Sequence, residues 1–288
     1  MNRTITLSAN AKINLYLRIA GRRPDGYHEL ETVMQSVTLA DTVTVSYDAD
    51  ARGKSISLTC TDPAIPCDGR NIAVKCAERF LDTFGINDCT VKIHIDKRIP
   101  AAGGLAGGST DGAAVLRALN SLTGADASQT ELCSIGAKVG ADIPFCVAGG
   151  TALCTGIGDV LAPLDIPSPG YSVLIVSPGG GVSTPEAYAA IDRAGTIPAF
   201  PASGVTAALR DGTCPTSLHN DFESVILPLN GNAALVKRIL AENGADAAMM
   251  SGSGPTVFGL FSDRGKCASA AAEVNGRGFR TYICRAAE

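Results

Sequence analysis

One segment constrains this chain more than any other: the run from Arg98 to Asp111, which reads RIPAAGGLAGGSTD. Before it, Val91, Ile93 and Ile95 alternate as in a strand; after it, Ala113, Val115, Leu116 and Leu119 recur as in a helix. Ser109, Thr110 and Asp111 are each able to cap that helix start. The order is therefore strand, glycine-rich loop, helix. Glycines let backbone curl closely around a ligand, and the unpaired N–H groups and dipole of a helix N-terminus favour an anion. The segment predicts a phosphate-binding loop.

It is not one of the two commonest phosphate loops. The spacing from Gly103 to Gly108, Ser109 and Thr110 imitates the P-loop, but Ser109 stands where that loop has its lysine. The dinucleotide fingerprint fails because the glycines come as adjacent pairs, Gly103 with Gly104 and Gly107 with Gly108. Adjacent glycines alone would also suit a plain flexible turn. The flanking strand, the helix start and the clustered hydroxyls favour phosphate.

The rest of the chain suits an enzyme of small molecules. Its 288 residues can bury a substantial core as one large or two medium domains. With 24 basic against 28 acidic residues there is no broad positive field for nucleic acid. No apolar run approaches a membrane span and no signal-type segment opens the chain, so cytoplasmic residence is the default expectation. The ten cysteines form no C-x-x-C pair, and His28, His94 and His219 are far apart. Buried free thiols are expected, and no metal site.

Periodicity predicts an alternating α+β chain without repeats. Strands are expected over residues 5–8, 12–19, 42–47, 55–59, 90–96, 151–155, 170–176, 256–261 and 280–284. Helices are expected over 71–84, 111–122, 129–138, 185–193, 205–210, 222–227, 232–242 and 265–274, with a Pro/Gly-rich loop near 198–204. A compositional break at 163–169 marks the expected junction between domains 1–163 and 164–288. Short connections point to two closely packed α+β domains.

Several side chains have two readings. On a strand, Lys12, Asn14, Tyr16 and Arg18 face one way, with Ala11, Ile13, Leu15, Leu17 and Ile19 behind them. That polar face is either solvated or a binding wall. Asp142, two residues before Pro144, is either a turn or cap residue or a carboxylate offered at a loop end as a base. Tyr27 and His28 follow a Pro24, Asp25, Gly26 turn and read on their own as loop residues. Asn71 reads as a helix cap, and residues 251–254 as a tight turn into the strand that follows.

Taken together, these segments resemble the GHMP kinase superfamily. Residues 100–110 are similar to its central ATP-binding motif, 11–17 to its first motif and 250–256 to its third, in the right order. Within it, residues 11–15, the run Arg23 to Leu30 with its Asp25, Gly26, Tyr27, His28 element, and residues 140–145 resemble the branch that acts on 4-diphosphocytidyl-2-C-methyl-D-erythritol. The likeness covers nearly the whole chain.

The resemblance implies an N-terminal domain like ribosomal protein S5 domain 2 and a ferredoxin-like C-terminal domain closing the cleft. It implies ATP as phosphoryl donor, Mg²⁺ to screen its charge, and transfer to the substrate's 2-hydroxyl. Lys12 and Asp142 match the catalytic pair, with Asp142 as base and Lys12 holding it ionised. Pro100, Ala101, Ala102, Gly103, Gly104, Leu105, Ala106, Gly107, Gly108, Ser109 and Thr110 match the ATP loop. Asn14, Tyr27 and His28 match substrate-binding positions, and Tyr188 is either a second stacking face for cytosine or a helix core residue. No protein side chain is assigned to the metal. The only expected partner is the small-molecule substrate, with no nucleic acid or membrane and a monomer or weak homodimer. A mevalonate, homoserine or sugar kinase would share the loop but leave the Asp25–His28 element unexplained. A non-catalytic relative would be expected to lack Lys12 or Asp142.

Overall fold

Two long strands open the fold: β1 (Asn2–Arg22) and β2 (His28–Asp48), each of 21 residues. A turn joins them, closed by hydrogen bonds from Gly26 N–H to Arg23 O (3.1 Å) and from Arg23 N–H to Tyr27 O (2.7 Å). Then come β3 (Lys54–Cys60), α1 (Ile72–Thr83), β4 (Cys89–Asp96), α2 (Gly107–Thr123), α3 (Gln129–Ala137) and α4 (Ile143–Ala148). The computed structural model describes residues 2–167, 170–195 and 200–287. By compactness the chain groups into two units. The first holds Met1–Ala11, Ala40–Ala101 and Ala106–Gly149; the second holds Lys12–Leu39, Ala102–Leu105 and Gly150–Glu288.

In the first unit the strand order is β3, β4, β2, β1. β3 runs parallel to β4, and β2 runs antiparallel to it with Val43 opposite Ile95 and Val45 opposite Ile93. Cys89, Val91, Ile93 and Ile95 of β4 are buried while Lys92 and His94 face out, the period of two that the sequence displays. Helices α1 to α4 pack against one another, and α1 also packs on β3. α1 buries Ala73, Val74, Cys76, Ala77, Phe80 and Leu81 on one face. A fully buried Phe80 contributes roughly 1.5–3 kcal/mol from that burial. Asn71 caps α1, its side-chain oxygen accepting from Ala73 N–H at 2.9 Å.

The second unit adds β5 (Thr151–Thr155), β6 (Val160–Pro163), β7 (Ser172–Ser177), α5 (Thr184–Ala194), α6 (Ser203–Arg210), β8 (His219–Asn220) and α7 (Glu223–Ile226). It closes with α8 (Gly231–Glu242), β9 (Ala247–Met250), β10 (Val257–Phe261), α9 (Arg264–Gly276) and β11 (Arg280–Cys284). β5 pairs antiparallel with β2, and β8 lies parallel to β1. β11, β7, β10 and β9 form an antiparallel sheet in that order, on which α8 and α9 pack. Its core joins Leu174, Val176, Val257 and Phe261 to Val236, Leu240, Ala270 and Val274.

The α+β expectation holds, with local corrections. The strands expected over 5–8 and 12–19 are one continuous strand, and β2 begins at His28 rather than near Thr42. The early part of β2 escapes a periodicity reading because its buried positions include the polar Thr32, Gln35 and Ser36. Gln35 is satisfied across the fold, donating to Thr151 Oγ1 (3.2 Å) and accepting from Tyr171 OH (2.9 Å). α4, β6, β8 and β9 are not among the expected elements. Residues 168–169 of the expected junction and 198–199 of the Pro/Gly-rich loop lie outside the described residues.

Candidate active site

The glycine-rich loop does run from β4 into α2, but its helix starts earlier than the hydroxyls suggest. α2 begins at Gly107, and its N-cap is Ala106, held in the left-handed region at φ 57° with no side-chain cap. Ser109, Thr110 and Asp111 therefore lie inside the helix, and the capping expectation fails for all three. Thr110 is buried, and its hydroxyl donates to Asn10 O at 2.7 Å. The early N–H groups of α2 have no intrahelical acceptor, which leaves them and the half-buried Ser109 to meet an anion.

Residues 102–105 are fixed from two sides of the second unit. Leu105 O accepts from Lys12 N–H (3.1 Å), and Gly104 O accepts from Ser251 Oγ (3.0 Å). Gly104 sits at φ 76°, and a Cβ there would lie 2.1 Å from the backbone oxygen of Ser251. Gly252 approaches less closely but still tightly, since its Cβ would lie 3.0 Å from Gly104 O. Asn220 braces this second glycine segment, donating to Met250 O (2.7 Å) and Gly252 O (2.9 Å). The two glycine motifs are thus backbone against backbone, which only glycine permits.

The first unit supports the helix end of the loop with a buried charge cluster that the sequence did not reveal. Lys97 Nζ donates to Asp41 Oδ2 and, at 3.0 Å, to Asp111 Oδ2. Asp41 Oδ1 accepts from Arg98 N–H (2.6 Å) and Ile99 N–H (2.8 Å). Asp111 Oδ1 is buried with no hydrogen-bond partner among the described residues. Burial pushes the Asp111 carboxyl up to about 7; Lys97 opposes the rise and Asp41 adds to it. Burial works against the Lys97 charge, but Asp111 and Asp41 outweigh it and raise its pKa. Polar spacing gave no hint of this cluster, because Lys97 stands 14 residues from Asp111 and 56 from Asp41 along the chain.

Lys12 and Asn14 lie on β1 where both faces are covered: every residue from Ala11 to Leu17 is buried. The solvated-face reading fails. Lys12 Nζ donates to Asn14 Oδ1 (2.8 Å), Asn14 Nδ2 to Thr32 Oγ1 (2.8 Å), and Thr32 Oγ1 to Tyr16 O (2.6 Å). Such a relay locks the rotamers of the strand's polar face. Asp142 stands at the start of α4, followed by Ile143 and Pro144, and its side chain makes no capping bond. Asp142 is thus a turn residue at the N-cap position, without a side-chain cap.

The turn after β1 presents Tyr27 with 61% of its surface exposed. His28 stacks on Tyr188 of α5, ring centroids 4.5 Å apart and planes 16° apart. Tyr188 also meets Phe222 in a T-shaped arrangement, ring centroids 5.0 Å apart. Tyr188 therefore joins the hydrophobic core of the second unit to His28. Asp192, one turn further along α5, hydrogen bonds to His28 Nε2 at 2.7 Å. Asp192 also went unnoticed in the sequence. Its spacing from Tyr188 puts both on one helix face, a signal visible only once α5 was tied to His28.

Among the described residues no three His, Cys, Asp or Glu side chains converge as a metal site, and no helix is long and apolar enough to cross a membrane. Comparison with known proteins agrees with the arrangement of motifs. Residues 71–150 match the GHMP kinase N-terminal domain and residues 214–279 the GHMP kinase C-terminal domain. A protein of Gloeobacter violaceus named 4-diphosphocytidyl-2-C-methyl-D-erythritol kinase is 44% identical, the alignment covering 98% of this chain and 94% of that one. A Brevibacillus brevis protein of the same name is 43% identical over 91% of this chain and 89% of its own. A crystal structure of 4-(cytidine 5'-diphospho)-2C-methyl-D-erythritol kinase superposes with a TM-score of 0.81 at 32% identity, covering 99% of this chain and 100% of that chain. Mevalonate kinase from Methanococcus jannaschii shares the fold, with a TM-score of 0.72 at 15% identity. The glycine loop, the polar face of β1 and the Tyr27–His28 turn all fall within these matches, and the chain belongs to the GHMP kinases, in the 4-diphosphocytidyl-2-C-methyl-D-erythritol kinase family.

Proposed function

We propose that this chain transfers the terminal phosphoryl group of ATP to the 2-hydroxyl of 4-diphosphocytidyl-2-C-methyl-D-erythritol, in the non-mevalonate route to isoprenoid precursors. The observation that carries this reading is the loop of residues 100–110. Its backbone is braced at Leu105 and Gly104 and runs into the unpaired N–H groups of α2. Phosphoryl transfer asks a protein mainly for positioning and charge stabilisation, and such a loop supplies both.

In this scheme Pro100–Thr110 cradle the triphosphate. Asp142 accepts the proton of the attacking hydroxyl, and Lys12 stabilises charge on the transferring group. Asn14 sets the Lys12 rotamer through its 2.8 Å hydrogen bond and faces the substrate beside it. Tyr27, His28 and Tyr188 receive the cytosine, whose flat faces suit aromatic partners. Mg²⁺ takes few protein ligands when phosphate oxygens are available, which fits the donors here. Thr110 is buried with its hydroxyl turned to Asn10 O, so the half-buried Ser109 is the more accessible loop hydroxyl to meet it. Bound magnesium would neutralise phosphate charge. The division into domains 1–163 and 164–288 belongs to the same proposal, supported by the two family matches falling on either side of it. So do a cytoplasmic location and a monomeric or weakly dimeric state.

The test is product analysis with ATP and Mg²⁺ against the cytidyl substrate, mevalonate, homoserine and galactose. Only the cytidyl compound should gain phosphate; phosphorylation of mevalonate or homoserine at a similar rate would sink the assignment. Asp142→Asn and Lys12→Met should each cut kcat by about 10²–10⁴-fold while ATP affinity holds. Near-normal turnover in both would remove them from the chemistry.

A further inference from the structure

His28 is the first residue of β2, and its ring has two nitrogens with different surroundings. Nε2 lies 2.7 Å from Asp192 Oδ1, whereas Nδ1 makes no hydrogen bond among the described residues. One ring face is covered by Tyr188, and only 9% of the side chain is exposed. Asp192 is joined on its other oxygen by Arg22 at 3.7 Å. The ring is therefore held at an edge and on a face, which fixes both its plane and its rotation.

The chemistry of the pair then decides what the free edge can do. The hydrogen bond from His28 holds the Asp192 carboxyl below the usual carboxylate range, so it is ionised near neutral pH and can only accept. Nε2 must supply the proton. In the neutral ring Nδ1 is then a bare lone pair, an acceptor and not a donor. Cytosine and uracil differ at just this kind of contact: cytosine carries an exocyclic amine that donates, and uracil carries a carbonyl oxygen that accepts. Two acceptors facing each other repel, and a buried polar group left unpaired costs more than a paired one returns.

We infer that Asp192 is a positioning residue for base recognition, holding the His28 tautomer whose Nδ1 accepts from the cytosine amine and so setting a preference for cytidyl over uridyl substrate. This rests on the reading of Tyr27, His28 and Tyr188 as the base site. It goes beyond that reading in assigning the choice between pyrimidines to a residue that touches no substrate. The same carboxylate on a helix that also carries Tyr188 means that one face of α5 supplies both the stacking partner and the tautomer control.

The experiment compares kcat/KM for the cytidyl substrate and its uridyl counterpart, at saturating ATP and Mg²⁺, in the parent, Asp192→Ala and Asp192→Glu. The parent should favour the cytidyl compound. Asp192→Ala should lower cytidyl kcat/KM roughly tenfold through KM, leave kcat and the uridyl value nearly unchanged, and so collapse the ratio. Asp192→Glu, which keeps the acceptor, should restore most of the preference. An unchanged KM for ATP reports that each variant is folded. A parent that discriminates, with a ratio untouched by Asp192→Ala or with both substrates weakened alike, overturns the inference alone. A parent that takes both substrates equally overturns the base-site reading and this inference with it.

Discussion

The two halves of the glycine loop are built on different physics. Residues 102–105 belong to the second unit and are held by backbone: Gly104 faces the Ser251 carbonyl so closely that a Cβ would lie 2.1 Å from it. Residues 106–110 belong to the first unit and rest on side chains: a Cβ on Gly107 would lie 3.2 Å from Lys97 Nζ and 3.2 Å from Ile99 Cγ2. Backbone cannot move aside, whereas a side chain can shift by a few tenths of an ångström. Identical residues in one motif therefore carry different tolerance. Positive φ falls at Ala102 and Gly104 in the first half and at Ala106, where the second half begins, and Gly107 and Gly108 are not among the positive-φ residues.

The sharpest way to break the contrast is Gly104→Val. It combines an unfavourable φ with a backbone collision, so activity and ATP binding should both be lost by calorimetry and turnover assay. A variant that still binds ATP as tightly as the parent would show that this half is not the cradle.

Next in size is Lys97→Met. Removing the cation leaves Asp41 and Asp111 buried without their shared partner, which should cost about 3–5 kcal/mol in urea unfolding. Asp41→Asn and Asp111→Asn added to Lys97→Met should recover part of that loss, because the uncompensated charge goes with them. No recovery would mean that Lys97 acts by packing alone.

A smaller effect separates the halves by pH. In the folded protein the Asp111 carboxyl is raised to about 7 from 3.8, so the folded state holds this proton more tightly than the unfolded chain. The resulting stability is present below about pH 4 and is lost as pH rises through about 7. Asp111→Asn should therefore flatten the fall in Tm between pH 4 and pH 7 relative to the parent. Curves that remain parallel would place the titration elsewhere.

Smallest of all should be Gly107→Ala. Alanine is better than glycine in a helix by roughly 1 kcal/mol, and crowding against Lys97 and Ile99 offsets most of it. Thermal unfolding should shift by little, and KM for ATP by less than about threefold. A collapse like that of Gly104→Val would erase the distinction between the halves.

Much of this was legible in advance because the signals are local. The alternation of Val91, Ile93 and Ile95, the cap at Asn71 and the glycine pairs each depend on neighbours a few residues away. The helix start was misread for the opposite reason. Ser109, Thr110 and Asp111 have cap chemistry, but Thr110 is spent on Asn10 and Asp111 on Lys97. β2 was half missed because buried Thr32 and Gln35 look like surface residues until Tyr16 and Tyr171 satisfy them.

By itself the sequence determined the α+β order of elements, the strand, glycine loop and helix arrangement and the family to which its motifs belong, since these follow from spacing and residue type along the chain. Only the tertiary structure decided which glycine lies against backbone, which lysine is locked between carboxylates, and which carboxylate oxygen meets the His28 ring. Each of those depends on residues brought together from 14 to 164 positions apart, and hydrogen bonds, charge and close contact act through space rather than along the chain.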